Sequence, residues 1–386
     1  MSEQQPMLVD DSNVEPPQPP MEDVDVEYGV GSTVLSIIAA LVIPLILVAF
    51  YFSFLFLKDE DANKGLKVIL AVIVGTVGAW GLYWGADQLI SRLPRRSANA
   101  VRPFLFVGPA MAFLGFYLVY PAVNTLFLSL QDARSDEWVG IDNFRTLFTE
   151  ERYQIGIRNS ILWVLVVPGA ALIIGLGFAT LVDRLGKRTE SVTKSIIFMP
   201  MAISFVGASV VFTFVYSFRP EGFGDQIGLL NAVKVGLGGE STNWLAQQPW
   251  NNIYLMVILI WLQTGFSMVI LSSAIKGVPI ELIEAARIDG ASEWKVFTRI
   301  TIPTIMSTIV VVWTTVIILV WKVFDIVWVM TGGRDNTQVV AQQMVQEFFT
   351  NRNNGVGAAL AVLMFVAIVP ILLINIRRFK AEEAMR

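Results

Sequence analysis

Eight stretches of this chain contain no Asp, Glu, Lys or Arg: residues 28–57, 68–86, 103–131, 159–182, 195–218, 241–275, 300–321 and 353–376. An α-helix rises about 1.5 Å per residue, so about 20 apolar residues cross roughly 30 Å of hydrocarbon. Every one of these runs is long enough, with 68–86 at the lower limit. Lipid offers the backbone no hydrogen-bond partner, so runs of this kind are expected to be helices. The fold class that follows is an all-α integral membrane protein with eight transmembrane helices. Pro44, Pro109, Pro168 and Pro200 fall inside the runs, where a kink is tolerated if neighbouring helices or water cover the freed carbonyls. Gly75, Gly78, Gly81 and Gly85 put small residues along the second run, as a close helix contact requires.

The composition narrows the chemistry. Apolar residues make up 54% of the chain and charged residues 16%, against about a quarter charged in soluble domains. There is no Cys and no His. The commonest nucleophiles, bases and metal ligands are therefore missing, and neither a catalytic residue nor a metal ligand is expected. A net charge of −4 without a basic stripe argues against nucleic acid. An ion-coupled secondary transporter would need ionisable residues within its spans, and the eight runs have none. A non-catalytic membrane scaffold remains an alternative.

Lys and Arg set the expected orientation. Connections 87–102, 183–194, 276–299 and the tail after 376 carry four each, whereas 58–67, 132–158, 219–240 and 322–352 are longer in total and carry 3, 4, 2 and 3. The denser set is cytoplasmic by the positive-inside rule, which places both termini in the cytoplasm. The Pro- and acid-rich stretch 1–30 is expected to be a disordered cytoplasmic tail, and no signal peptide is expected ahead of the first span. Residues 31–102 form two additional spans and a basic linker, Ser91-Arg92-Leu93-Pro94-Arg95-Arg96. A six-helix core then occupies 103–386.

The connection 276–303 carries the most information. Pro279 and Glu281 suit the start of a short helix. Asp289-Gly290 suits a break, because Gly readily takes the positive φ that ends a helix. A second short helix follows from about Ser292 to Arg299. Ala285 and Ala286 give this bent element a smooth face on which another protein can sit, and Ile283, Ile288, Trp294 and Phe297 give it apolar knobs.

The spacing Glu284-Ala285-Ala286, then Gly290, then Ile300-Thr301-Ile302-Pro303 resembles the EAA signature of binding-protein-dependent ABC importer permeases, with Ile302 where that pattern has Leu. Gly228-Leu229-Leu230-Asn231, Trp244-Leu245, Trp261 with Gly265-Phe266, and Thr331-Gly332-Gly333 after Phe324-Asp325 look like the carbohydrate-uptake permeases related to the maltose transporter. Two extra N-terminal spans resemble the MalF-like partner, although the connection 132–158 is too short for a large inserted domain. The resemblance implies a second, MalG-like permease and two copies of a MalK-like ATPase. It also implies a periplasmic or lipid-anchored sugar-binding protein, with membrane lipid around the spans. ATP and Mg would be bound by the ATPase; this chain has no phosphate-binding Gly-x-x-x-x-Gly-Lys-[Ser/Thr], so no cofactor is expected on it. Glu284, Ala285, Ala286, Asp289, Gly290 and Pro303 would couple to the ATPase. By position, Leu262, Gln263, Phe266, Leu319, Val320 and Val323 would meet the sugar, an α-glucoside such as a maltose-type oligosaccharide, trehalose or glucosylglycerol. Gln263 equally suits an interhelical hydrogen bond. Lys322 and Asp325, three residues apart, could pair if both are helical.

Overall fold

The computed structural model describes residues 30–383 apart from Glu221. The acidic tail expected over 1–30 lies outside the described residues except for Val30. Two compact units are present, Met1–Pro121 and Ala122–Arg386. Every regular element among the described residues is helical; a single antiparallel bridge joins Gln131 and Trp138.

The first unit contains α1 (Ile37–Lys58), α2 (Lys64–Ile90) and the first part of α3 (Arg96–Leu128). Asn63 caps α2 by accepting hydrogen bonds from the backbone N–H groups of Gly65 and Leu66. The small-residue stripe of α2 packs on α1: a side chain at Gly81 would meet Ile46 at 2.6 Å, and one at Gly85 would meet Ile43 at 2.9 Å. Gly85→Leu is expected to force the two helices apart, at a cost of about 1–3 kcal/mol. Thermal unfolding of the purified protein in detergent measures this, and an unchanged midpoint would remove the packing argument. Asp87 of α2 pairs with Arg102 of α3 at 2.8 Å.

The second unit holds α4 (Asp142–Thr149) and α5 (Glu151–Val182), then α6 (Lys187–Ala202), α7 (Phe205–Val215), α8 (Leu229–Gly236) and α9 (Trp250–Lys276). It continues through α10 (Ile280–Ile288), α11 (Glu293–Thr304), α12 (Met306–Trp321), α13 (Asp325–Met330) and α14 (Val340–Val345) to α15 (Asn354–Arg377). Among the described residues six helices, α1, α2, α3, α5, α9 and α15, are long and apolar enough to cross a membrane. The pairs α6–α7 and α11–α12 are bent by 99° and 69°, and the number rises to as many as eight if each pair is one span.

The α5–α9 pair is the axis of this unit. Trp163 of α5 donates its Nε1–H to Asn252 of α9 at 3.3 Å. Ser272 of α9 donates to Asp183, at the end of α5, at 2.6 Å. Both contacts join residues 89 positions apart, so the helices run side by side in the same sense. Their shared core contains Trp163, Val167, Leu255, Leu259 and Leu262, all essentially inaccessible. Because the two helices are parallel, the chain must return from the Asp183 end to the Trp250 end between them, and α6 and α7 make that return. Pro200, expected to kink a continuous span, instead sits in a short 3-10 turn, Met199–Ala202. An extended Ile203 follows, and Ser204 then caps α7 by accepting the Gly207 N–H at 3.0 Å. The result is a break rather than a kink.

At the Trp250 end, side-chain amides hold the 335–338 turn. Asn251 donates to the Asp335 carbonyl at 2.7 Å, and Asn159 donates to the carbonyls of Asn336 and Gln338 at 2.8 and 2.9 Å. Asn231, from the Gly228-Leu229-Leu230-Asn231 motif, is fully buried. It bridges the carbonyls of Ser217 and Thr242 and accepts the Thr242 N–H. This motif therefore ties loops together.

Candidate functional site

The bent segment 276–303 follows the end of α9. Asp289 closes α10, and Gly290 takes φ +76°. The Gly290 N–H donates to the Arg287 carbonyl at 3.0 Å, and the Ala291 N–H donates to the Ala286 carbonyl at 2.9 Å. Those two bonds are a Schellman closure, which turns the chain sharply and satisfies the last carbonyls of the helix. Arg287 then reaches across the turn to Glu293, with Nε–Oε1 at 2.8 Å and Nη2–Oε2 at 3.1 Å. These hydrogen bonds, foremost, raise the Arg287 guanidinium above its ordinary value, so it stays charged at any physiological pH.

The segment is fixed on one side and open on the other. Val278 is buried among Val182, Met268, Leu271 and Ile305, and Ile283 packs against that cluster. Glu284, Ala285, Asp289 and Gly290 are exposed. Ile288 is 86% exposed and Trp294 71% exposed, with Phe297 half-buried against the Trp294 ring at 6.0 Å. Pro303 lies in the short helical turn Ile302–Thr304, directly before the 69° bend into α12. Ile283 therefore anchors the hairpin, and Ile288 and Trp294 remain as outward knobs.

Where the hairpin leaves α9, a charge cluster joins three helices. Lys194 of α6 pairs with Asp183 at 2.9 Å and with Glu190 at 2.6 Å. Lys276, the last residue of α9, also pairs with Glu190, and Lys194 donates to Ser272. In the sequence Lys194 and Lys276 count only toward the basic charge of their connections, and Asp183 and Glu190 carry no expected role. Glu190 and Lys194 are four apart, the spacing of a helical pair, and that was the one local signal of the cluster.

The six residues proposed to meet the sugar are placed as follows. Leu262, Val320 and Val323 are 1%, 1% and 3% exposed within one apolar cluster, and Phe266 and Leu319 pack against it. Gln263 is buried as well. Its amide makes no hydrogen bond among the described residues. Lys322 and Asp325 do not pair among the described residues, because α12 ends at Trp321 and a new helix starts at Asp325. Trp244 packs edge-on against Tyr254 at 5.4 Å, while Trp250 is exposed.

Residues 171–378 match the family model described as binding-protein-dependent transport system inner membrane component. The osmoprotective compounds uptake permease protein GgtC of Synechocystis is 52% identical over 282 residues, covering 73% of this chain and all of that protein. The alpha-glucoside transport system permease protein AglF of Rhizobium meliloti is 49% identical over 332 residues, covering 82% of this chain and 98% of the relative. A crystal structure of a bacterial ABC transporter that imports alginate has a chain with a TM-score of 0.64 at 20% identity. The match covers 74% of this chain and 99% of that one, and it shows a shared fold.

Proposed function

The chain belongs to the binding-protein-dependent transport system inner membrane components, and from that premise we propose that it is the permease subunit of an ATP-driven importer of α-glucoside-type sugars. The observation that carries this reading is the hairpin of α10 and α11, closed at Gly290, anchored through Val278 and Ile283, and presenting Ile288 and Trp294 outward. A rigid bent helix with an exposed apolar face is what a second protein needs in order to push on the spans behind it.

In this proposal the outward face of Glu284, Ala285, Ala286 and Asp289 seats in a separate MalK-like ATPase, which holds the ATP and Mg. A MalG-like permease completes the pathway, and a periplasmic or lipid-anchored binding protein delivers the sugar. The chain is a multi-pass inner-membrane protein, and we place the hairpin and both termini in the cytoplasm. The parallel course of α5 and α9, with the return through α6 and α7, supports counting that bent pair as one span. The same holds for α11 and α12, because Asn251 at the start of α9 bonds Asp335, which follows them. Eight spans result: a six-helix core in 103–386, preceded by two in 31–102.

For the sugar, we assign Gln263 and Phe266 as the direct contacts, one an amide without a hydrogen bond among the described residues and the other a stacking face. Leu262, Leu319, Val320 and Val323 shape the wall behind them. Maltose-type oligosaccharides, trehalose and glucosylglycerol are the proposed substrates, and the name of the alpha-glucoside transport relative supports that class. The test is ATP hydrolysis by the reconstituted transporter with its binding protein. Sugar should raise the rate, and Gln263→Ala together with Phe266→Ala should cut uptake about tenfold or more, as the loss of two contacts of about 1 kcal/mol each implies. Hydrolysis indifferent to every α-glucoside tried would reject the reading.

A further inference from the structure

Three contacts join α6 to α9, and they run from the root of the hairpin to the turn that carries Gln263 and Phe266. At the root, Lys276 pairs with Glu190. Next, Lys194 donates to Ser272, and Ser272 donates in turn to Asp183 at 2.6 Å. In the third, a Cβ at Gly265 would lie 2.7 Å from the Phe198 Cα, with the Ile197 carbonyl beside it. Rising numbers on α6 meet falling numbers on α9, so the two helices are antiparallel.

The spacing puts each set on one helical face. Glu190, Lys194 and Phe198 are four apart, and Gly265, Met268, Ser272 and Lys276 are three, four and four apart. Between the second and third contacts, Met268 is fully buried in the apolar cluster against which Ile197 packs. Lys276 and Gly265 are eleven residues apart on one unbroken helix, or about 16 Å. Gln263 and Phe266 flank Gly265 within a single turn. One ladder therefore spans from the ATPase-facing segment to the proposed sugar contacts, ionic at the hairpin end and backbone-close at the other.

The ionic half needs a reason. Asp183, Glu190 and Lys194 are largely withdrawn from water, and apolar side chains would pack α6 on α9 without that desolvation cost. An ion pair supplies what a smooth apolar face does not: each charge meets one partner at one place, which fixes register. Two carboxylates here face two ammonium groups, so the set is neutral as a unit. We infer that Glu190 and Lys194 are positioning residues for coupled transport. They hold α6 in register with α9, so that a push on the hairpin moves the turn of Gln263 and Phe266 together with its α6 wall. Without them, α9 slides past α6 and part of the stroke is lost. The inference rests on the import reading and names the residues that link its two ends.

The experiment measures sugar taken up per ATP hydrolysed by the complete transporter and its binding protein in proteoliposomes, with radiolabelled maltose, trehalose and glucosylglycerol in turn. Glu190→Gln weakens both pairs of that carboxylate, and the ratio is expected to fall about tenfold while hydrolysis continues. Lys276→Gln removes only the contact at the root, for a fall of about threefold. Lys276→Arg, which keeps the charge, should restore the wild-type ratio. The double variant Glu190→Gln with Lys276→Gln should fall no further than Glu190→Gln alone, because the shared contact is already lost. If Glu190→Gln does not assemble, Lys276→Gln carries the test, since Lys276 is half-exposed and its loss leaves Glu190 paired with Lys194. A merely structural tie would lower uptake and hydrolysis in equal proportion. That result, or an unchanged ratio in Lys276→Gln, overturns the inference. Failure of the import reading looks different: wild-type hydrolysis that none of the three sugars stimulates.

Discussion

Gly290→Pro is expected to reduce sugar uptake to background while the chain still inserts in the membrane. Pro fixes φ near −65°, whereas the turn holds Gly290 at +76°. Pro also has no N–H, so the bond to the Arg287 carbonyl disappears. α10 and α11 would then lose the angle that presents Ile288 and Trp294 together. The substitution lies outside the spans, so insertion has no reason to fail. Gly290→Ala is the graded control: it keeps the N–H and costs about 1–2 kcal/mol for the left-handed backbone, so part of the uptake should survive. Uptake of labelled sugar, normalised to permease in the membrane fraction, reads both variants. Full uptake by the Pro variant would sink the role given to the hairpin.

Gly265→Leu should have the second large effect, and it should act on the fold and on transport together. A side chain at residue 265 would stand 2.7 Å from the Phe198 Cα and press on the Ile197 carbonyl. Both obstacles are backbone, so no rotamer change relieves them, and α6 must move away from α9. Overpacking of this kind costs about 3 kcal/mol. The displaced region adjoins Gln263 and Phe266 and reaches the Lys194 end of α6. Thermal unfolding in detergent and sugar uptake should both fall. A variant as stable and as active as wild type would show that the close approach of α6 to α9 has no bearing on either property.

The long helices were legible because lipid imposes one rule on every residue of a span, and a charge-free run obeys it. Their ends were less so. α5 starts at Glu151, eight residues before its charge-free run, since Arg152 pairs with Glu347 from a distant part of the chain. The break between α6 and α7 was hidden for a related reason: Pro200 announces an interruption, but only the packing around it decides between a kink and a reversal. The sharp turn at Gly290 could be read because a helix stop is a local event with a local residue requirement. The charge cluster at the base of the hairpin joins residues up to 93 positions apart. No spacing within one element encodes such meetings. Gln263 was nameable as polar within a span, but that its amide lacks a partner among the described residues is a property of its surroundings.

The ionic knot of Asp183, Glu190, Lys194 and Lys276 changes how a pull on the hairpin would travel. Had α9 alone joined the hairpin to the bundle, the segment could swing like a door and leave its neighbours at rest. With Lys276 tied to Glu190, and Lys194 gripping both Glu190 and Asp183, any displacement there drags the adjoining ends of α5 and α6 as well. Under the proposed coupling, a short stroke on the hairpin would therefore be shared among three helix ends instead of being taken up by α9 alone.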